Sequence, residues 1–378
     1  MRRSAPTRRY GCGCSPKSAS RRSRTPPAGP PEGHARTSCR QAGHERSAGV
    51  RLAQDSTGIH DESKAQRPLA VVADWRFGMD IRRAKEVYES GGNVTDYLRQ
   101  ARGQSRNDAE IIEIAYDLQA GSYSSAALKN ADRLQSYAGQ VAAILSPYLR
   151  DGDVFLDIGT GECTTLAHLE RRLPSSLGRM LACDISWSRL CYGRAFLDHA
   201  GCRPVDLFAA DLLHLPLQAK SVDIVWSSHA LEPNGGNELA AIEEILRVCR
   251  SCAVLFEPSY EKNSPDGRAR MDRLGYVKDL PGAIAAAGGD LLACIPIREP
   301  QNPLNPTHAY VIRPPASDSA NTAAWACPVA NDRLGEIDGF LYSHESGLAY
   351  PVLKGVPILR KSAGVLATVL DANTTIPA

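Results

Sequence analysis

Asp157, Asp184 and Asp211 each close a short apolar run, and His229 follows a fourth run after two serines. Carboxylates placed this way accept hydrogen bonds from ligand hydroxyls or from loop backbone, and the second acid of such a series is where a ribose is held. A neutral imidazole can take a proton from a hydroxyl group. Glu232 and Glu257 lie at neighbouring positions, where they can bind a polar substrate or orient His229. Directly after Asp157 comes Ile158-Gly159-Thr160-Gly161-Glu162-Cys163. Two alternate glycines let backbone come close to a ligand where a side chain would collide.

Parallel strands alternating with helices are needed to carry these residues. Apolar runs at 154–158, 181–184, 208–212, 222–226 and 253–256 read as buried strands. Helical periodicity at 164–172, 186–199 and 237–248 fills the connections, with Asn237 as a cap, and a further helix follows near 280–287. Two more strands are expected at 291–297 and 308–313. The stretch joining them, 299–307, holds three prolines and Asn302 and should emerge at the ligand-binding edge. Upstream, residues 79–150 read as helices, clearest at 109–118 and 131–149, a helical extension or lid. Between those two helices Tyr116, Gln119 and Tyr123 are placed either to line the site or simply to pack.

The glycine loop resembles motif I of the class I S-adenosylmethionine methyltransferases, Asp-x-Gly-x-Gly-x-Gly, with Cys163 in place of the third glycine. Asp184 stands 27 residues after Asp157, and the series of acids at successive strand ends resembles that family more than a Rossmann dehydrogenase. The resemblance implies an α/β fold, a Rossmann-like seven-stranded sheet in the order three-two-one-four-five-seven-six, and S-adenosylmethionine as cofactor. It implies that the Gly159–Gly161 loop approaches the methionine portion, with Asp157 either orienting that loop or meeting the cationic cofactor, and that Asp184 takes the ribose hydroxyls. Asp211 and Leu212 would meet the adenine, flanked by Ile185 and by Trp187 if the latter is not core. His229 and Glu257 are the expected catalytic residues, with Tyr116, Tyr123, Glu232 and Asn302 toward substrate. The pattern resembles small-molecule methyltransferases of the ubiquinone and sterol type. The run from Ser228 to Gly236 also resembles methyltransferases of bacterial surface-polysaccharide pathways, which implies a hydroxyl of a sugar or polysaccharide precursor as acceptor. An RNA or protein methyltransferase and a non-catalytic cofactor-binding subunit are the alternatives.

Composition bounds these readings. Residues 1–70 carry 14 basic against 5 acidic side chains, and the rest of the chain 30 against 37. The remainder therefore has no nucleic-acid footprint, and it lacks an Asn/Asp-Pro-Pro-Tyr motif after the fourth strand. No apolar run approaches membrane-spanning length, and the 11 scattered cysteines read as reduced thiols of a cytoplasmic protein. Residues 1–78 read as a disordered basic head, with Met79 an alternative start. After a linker at 314–324, residues 325–362 resemble the zinc-ribbon module that partners tRNA and protein methyltransferases, a surface for protein contact, followed by a tail at 363–378. Of its four cysteine positions only Cys327 is kept; the others are Ala330, Ser343 and Ser346. One thiolate cannot complete a tetrahedral zinc site, so the module is expected to be degenerate and free of metal.

Overall fold

The computed structural model describes residues 80–298, 302–317 and 321–371. The basic head and the end of the tail lie outside the described residues. Five helices come first: α1 (Ile81–Glu89), α2 (Val94–Arg102), α3 (Ala109–Asp117), α4 (Ser122–Lys129) and α5 (Ala131–Leu145). Asp80, Asn93 and Asp108 cap the first three by accepting from backbone N–H groups one turn on. Then β1 (Phe155–Ile158), α6 (Thr164–Glu170), β2 (Met180–Asp184), α7 (Trp187–Ala200), β3 (Asp206–Ala209) and β4 (Val222–Ser228) alternate. They are followed by α8 (Glu238–Val248), β5 (Cys249–Pro258), α9 (Pro265–Leu274), α10 (Leu280–Ala286), β6 (Asp290–Pro296) and β7 (Thr307–Arg313).

The seven strands form one sheet in the order β3-β2-β1-β4-β5-β7-β6, with β7 antiparallel to both β5 and β6. The Rossmann-like methyltransferase order expected from the sequence is thus the order observed. Both faces of the central strands are buried, which explains their unbroken apolar runs. Phe155, Trp226 and Phe256 point to the side covered by α5, α6 and α7, while Leu156, Val225 and Leu255 point to α8 and α10. Strand order reverses between β1 and β4, and a crevice opens there at the carboxyl ends. Helices α2, α4 and α9 were not anticipated individually. Helix α4 begins inside the stretch taken as an interhelical segment, and α9 is strongly polar with only Gly267 and Met271 buried.

The C-terminal part is β-rich: β8 (Gly335–Ile337), β9 (Phe340–Tyr342), β10 (Leu348–Tyr350), β11 (Val352–Leu353), β12 (Val356–Pro357) and β13 (Val365–Leu366). β13 pairs with β10, so this small sheet reaches past residue 362. The module packs on the outer edge of the large sheet. Leu359 N–H donates to Ala209 O at 2.8 Å, Ala326 N–H to Pro216 O at 2.9 Å, and the Trp325 and Phe208 rings lie 4.9 Å apart. An edge strand that would present unpaired backbone is thereby covered. Trp187, considered for the cofactor, instead donates to Leu353 O of this module at 3.3 Å. Among the described residues no helix is long and apolar enough to cross a membrane.

Candidate functional site

The loop after β1 is built on two left-handed glycines, Gly159 (φ 68°) and Gly161 (φ 57°). A Cβ on Gly159 would stand 2.2 Å from that of Ala230, and one on Gly161 would stand 2.4 Å from Arg189 Nη2. Cys163 is left-handed too (φ 54°), and its sulfur fits because Gly193 on α7 leaves the room. Asp157 lines neither cavity of the site. It is 2% exposed, hydrogen-bonds the Thr160 side chain, and burial holds its carboxyl well above the ordinary range. On the central strand, beneath its own loop, it bonds that loop through Thr160.

Asp184 ties two loops together. Its Oδ2 accepts from Gly161 N–H and its Oδ1 from Ser186 N–H, both at 2.9 Å. It opens into a narrow cleft with Gly159, Ile185, Asp211 and Leu212, while Gly161 itself is not in the lining. Burial raises Asp211, whose Oδ1 accepts from Leu213 N–H at 2.9 Å. Ala109, Ile112 and Tyr116 of α3 complete the cleft. The turn between α3 and α4 is pinned by acids on both of its sides. Asp117 accepts from Ser186 Oγ at 2.6 Å. Glu162 accepts from Gly121, Tyr123 and Ser124 N–H and from Ser124 Oγ, at 2.5 to 3.3 Å. Glu162, at the N-terminus of α4, was not singled out in the sequence, where it reads as a solvent-exposed loop acid. Gln119 turns back onto Ala115 O at 2.8 Å and lines neither cavity.

A second cavity, of about 390 Å³, adjoins the cleft. Tyr123, Tyr137, His229, Glu232, Asn302 and Asn305 line it, and Gly159, Tyr116, Arg189 and His229 belong to both spaces. His229 is held in the left-handed region (φ 58°), costly for a non-glycine residue, with its N–H on Phe256 O at 2.9 Å. Its Nδ1 lies 3.0 Å from Glu232 Oε2 and its Nε2 3.1 Å from Thr307 Oγ1. Burial opposes the imidazolium, but the Glu232 hydrogen bond and charge prevail and raise His229 above its ordinary value. Burial likewise opposes the Glu232 carboxylate, while His229, Asn305 and Tyr276 together hold it below its ordinary value.

Glu257, expected to be catalytic, is fully buried and lines neither cavity. Its carboxylate accepts from Ser227 Oγ and from the N–H groups of Ala230, Leu231 and Glu232 at 3.0 to 3.2 Å. Burial pushes it up to about 7. At the end of a central strand, Glu257 is held by the loop that carries His229.

Thr307, Asn305 and Arg189 were missed. Arg189 sits in the first turns of α7, 7% exposed, with its guanidinium 4.5 Å from the Tyr123 ring and 5.3 Å from that of Tyr116. Its Nη1 is 3.9 Å from Asp184, and its buried Nε has no hydrogen-bond partner among the described residues. A buried donor left unsatisfied calls for an acceptor from a ligand. Apolar walls beside Asp184, with a cationic donor over the glycine loop, fit a nucleoside joined to an amino-acid carboxylate.

Residues 155–251 match a family described as a methyltransferase domain. No curated protein sequence matches the chain. Among solved structures, the chain is similar to a Haloferax volcanii complex between the Trm112 methyltransferase activator and a methyltransferase (17% identity, 52% of this chain, 96% of that chain, TM-score 0.42). It is also similar to a SAM-dependent methyltransferase from Aquifex aeolicus (17%, 45% and 88%, 0.36). A third is the magnesium protoporphyrin IX methyltransferase of Synechocystis with bound SAH (12%, 61% and 100%, 0.39). Residues 155–251 thus match a methyltransferase domain, carried on a sheet of the Rossmann-like methyltransferase order, whose cofactor is S-adenosylmethionine.

Proposed function

We propose that the protein methylates a hydroxyl group of a small molecule, such as a sugar or polysaccharide precursor, with His229 as the base. The observation that carries this is His229, which stands in the wall common to the cleft and the larger cavity and is paired with Glu232 of the latter. Bound S-adenosylmethionine supplies a methyl group already activated on a sulfonium, so the protein's work is alignment, exclusion of water and handling of one proton. Asp184 would hold the ribose hydroxyls and Arg189 the cofactor's carboxylate, with Ile185 and Leu212 against the adenine. Glu232 keeps a proton on Nδ1 and so leaves Nε2 as the accepting nitrogen. Thr307 Oγ1 has an alternative acceptor, Asn305 O at 3.4 Å, and can release Nε2 to an incoming hydroxyl. Transfer of label from methyl-labelled cofactor to a panel of hydroxylated, amino and thiol compounds tests the reading. Labelling of hydroxyl compounds, lost in His229→Ala, supports it; labelling confined to RNA or protein would overturn it.

The C-terminal module supports the reading of a metal-free ribbon. Cys327 Sγ lies 3.4 Å from Tyr350 Oη and 3.6 Å from Ser346 Oγ, and Ser346 Oγ donates to Ser343 Oγ at 2.8 Å. Hydrogen bonds and a small apolar cluster of Cys327, Leu334, Leu341, Tyr350 and Leu359 would hold together what metal ligation holds in a zinc ribbon.

A further inference from the structure

We infer that the methyl acceptor carries an oxyanion, a phosphate or a carboxylate, which Arg270 binds in the larger cavity. This rests on the reading of that cavity as the acceptor's.

Three arginines line the cavity, Arg133, Arg189 and Arg270, against two carboxylates, Glu162 and Glu232. Neither carboxylate is available to a ligand's positive charge. Glu162 is saturated by three backbone N–H groups and a hydroxyl at the start of α4. Glu232 is engaged by His229, Asn305 and Tyr276. Arg133 is itself engaged, and Arg189 faces Asp184 and two tyrosine rings, which leaves Arg270 to meet a ligand.

Arg270 stands apart from the other two. It projects from the polar helix α9, stacks its guanidinium 5.4 Å from the centre of the Tyr276 ring, and makes no ion pair among the described residues. Its Nη1 is buried without a hydrogen-bond partner there. A guanidinium presents its donors in a planar fork that matches phosphate and carboxylate oxygens. Tyr276 bonds both Arg270 and Glu232, so the unmatched donor belongs to the same cluster as the His229 base.

One further group lacks its complement. Asn305 donates through Nδ2 to Glu232 Oε2 at 3.1 Å, which fixes the orientation of the amide, and its Oδ1 is buried without a donor. Arg270 thus offers a donor to an anion, and Asn305 offers an acceptor to a hydroxyl. A hydroxylated acid or a phosphorylated polyol has both; a neutral alcohol or an amine does not.

Calorimetry on the full chain saturated with S-adenosylhomocysteine tests this, using glucose, glucose 6-phosphate and glucuronate as titrants. Glucose 6-phosphate, glucuronate or both should bind at least about 10-fold more tightly than glucose, the scale of a charge-assisted hydrogen bond. The member that binds identifies phosphate or carboxylate as the source. Arg270→Gln should weaken that binding by a similar factor and leave S-adenosylhomocysteine affinity unchanged. Where Arg270→Gln lowers the melting temperature, Arg270→Lys replaces it and should give a smaller loss, since a point charge lacks the fork. Glucose binding as tightly as the anions, neither anion binding, or anion affinity unchanged by the substitution would each overturn the inference. Because binding is read without turnover, an anion that binds but is never methylated would count against the hydroxyl-acceptor reading and leave the anion site standing.

Discussion

In the cofactor half of the site, polar side chains grip backbone close by in the chain. Asp184 reaches Ser186 N–H, two residues on, and Gly161 N–H, 23 residues back, and Asp211 reaches Leu213 N–H. In the acceptor half, side chains meet side chains across the fold. Glu232 pairs with Asn305, 73 residues away, and His229 with Thr307, 78 residues away. A half made of strand ends and turns fixes its shape whatever binds. A half made of side-chain pairs from the loop after β4, the α9 region and the start of β7 with the loop before it can change its ligand by a few substitutions. The first suits a constant cofactor, and the second a particular acceptor.

If that division holds, substitutions should separate cleanly, and the largest effect belongs to the acceptor half. His229→Ala should lower kcat on the order of 10²–10⁴-fold in steady-state assays, with cofactor affinity little altered. Near-normal turnover would reduce His229 to packing. Glu257→Ala should act on stability first, because it strands three backbone N–H groups, buried or half-buried, and the Ser227 hydroxyl. Chemical denaturation should show a loss of about 2–4 kcal/mol. An unchanged midpoint would mean that the loop after β4 is held by something else.

Asp184→Ala should cost about 1–3 kcal/mol of cofactor binding by calorimetry, from the lost ribose acceptor and the loosened Gly161 N–H. Unchanged affinity would remove Asp184 from the cofactor half. The smallest effect is expected at the C-terminal module. Chelator should leave the melting temperature where it was, and elemental analysis should find less than one zinc per chain. One tightly held zinc would overturn the metal-free reading.

The same contrast governs how much was legible in the sequence. Gly159, Gly161, Asp184 and Asp211 could be read because a strand, a turn and a helix start leave a local record in residue types and spacing. The sheet order came with the resemblance to the class I methyltransferases and not from the alternation of elements alone. Asp157 and Glu257 were legible as strand-end acids, but not their direction. A buried carboxylate that serves its own fold and one that serves a ligand look alike until the neighbouring loop is placed. Thr307 and Asn305 left no local signal, because their meaning lies in residues more than 70 positions away. Arg189 and Arg270 sit on helices, where an arginine ordinarily faces water, and only the packing of Tyr116, Tyr123 and Tyr276 around them shows otherwise.

The central claim is that Glu232 tunes His229 as the base, and the pH dependence of single-turnover methyl transfer tests it most directly, in the wild type and in Glu232→Gln. A protonated imidazole cannot accept a proton, so the rate should fall as pH drops through the His229 value. That value is raised, so the fall should begin above the ordinary imidazole range of about 6.5. In Glu232→Gln the hydrogen bond to a charge is gone and burial, which disfavours the imidazolium, remains. The acid limb should therefore move to lower pH, while the lower plateau rate reflects a less well oriented ring. An acid limb at the same pH in both proteins would contradict the account.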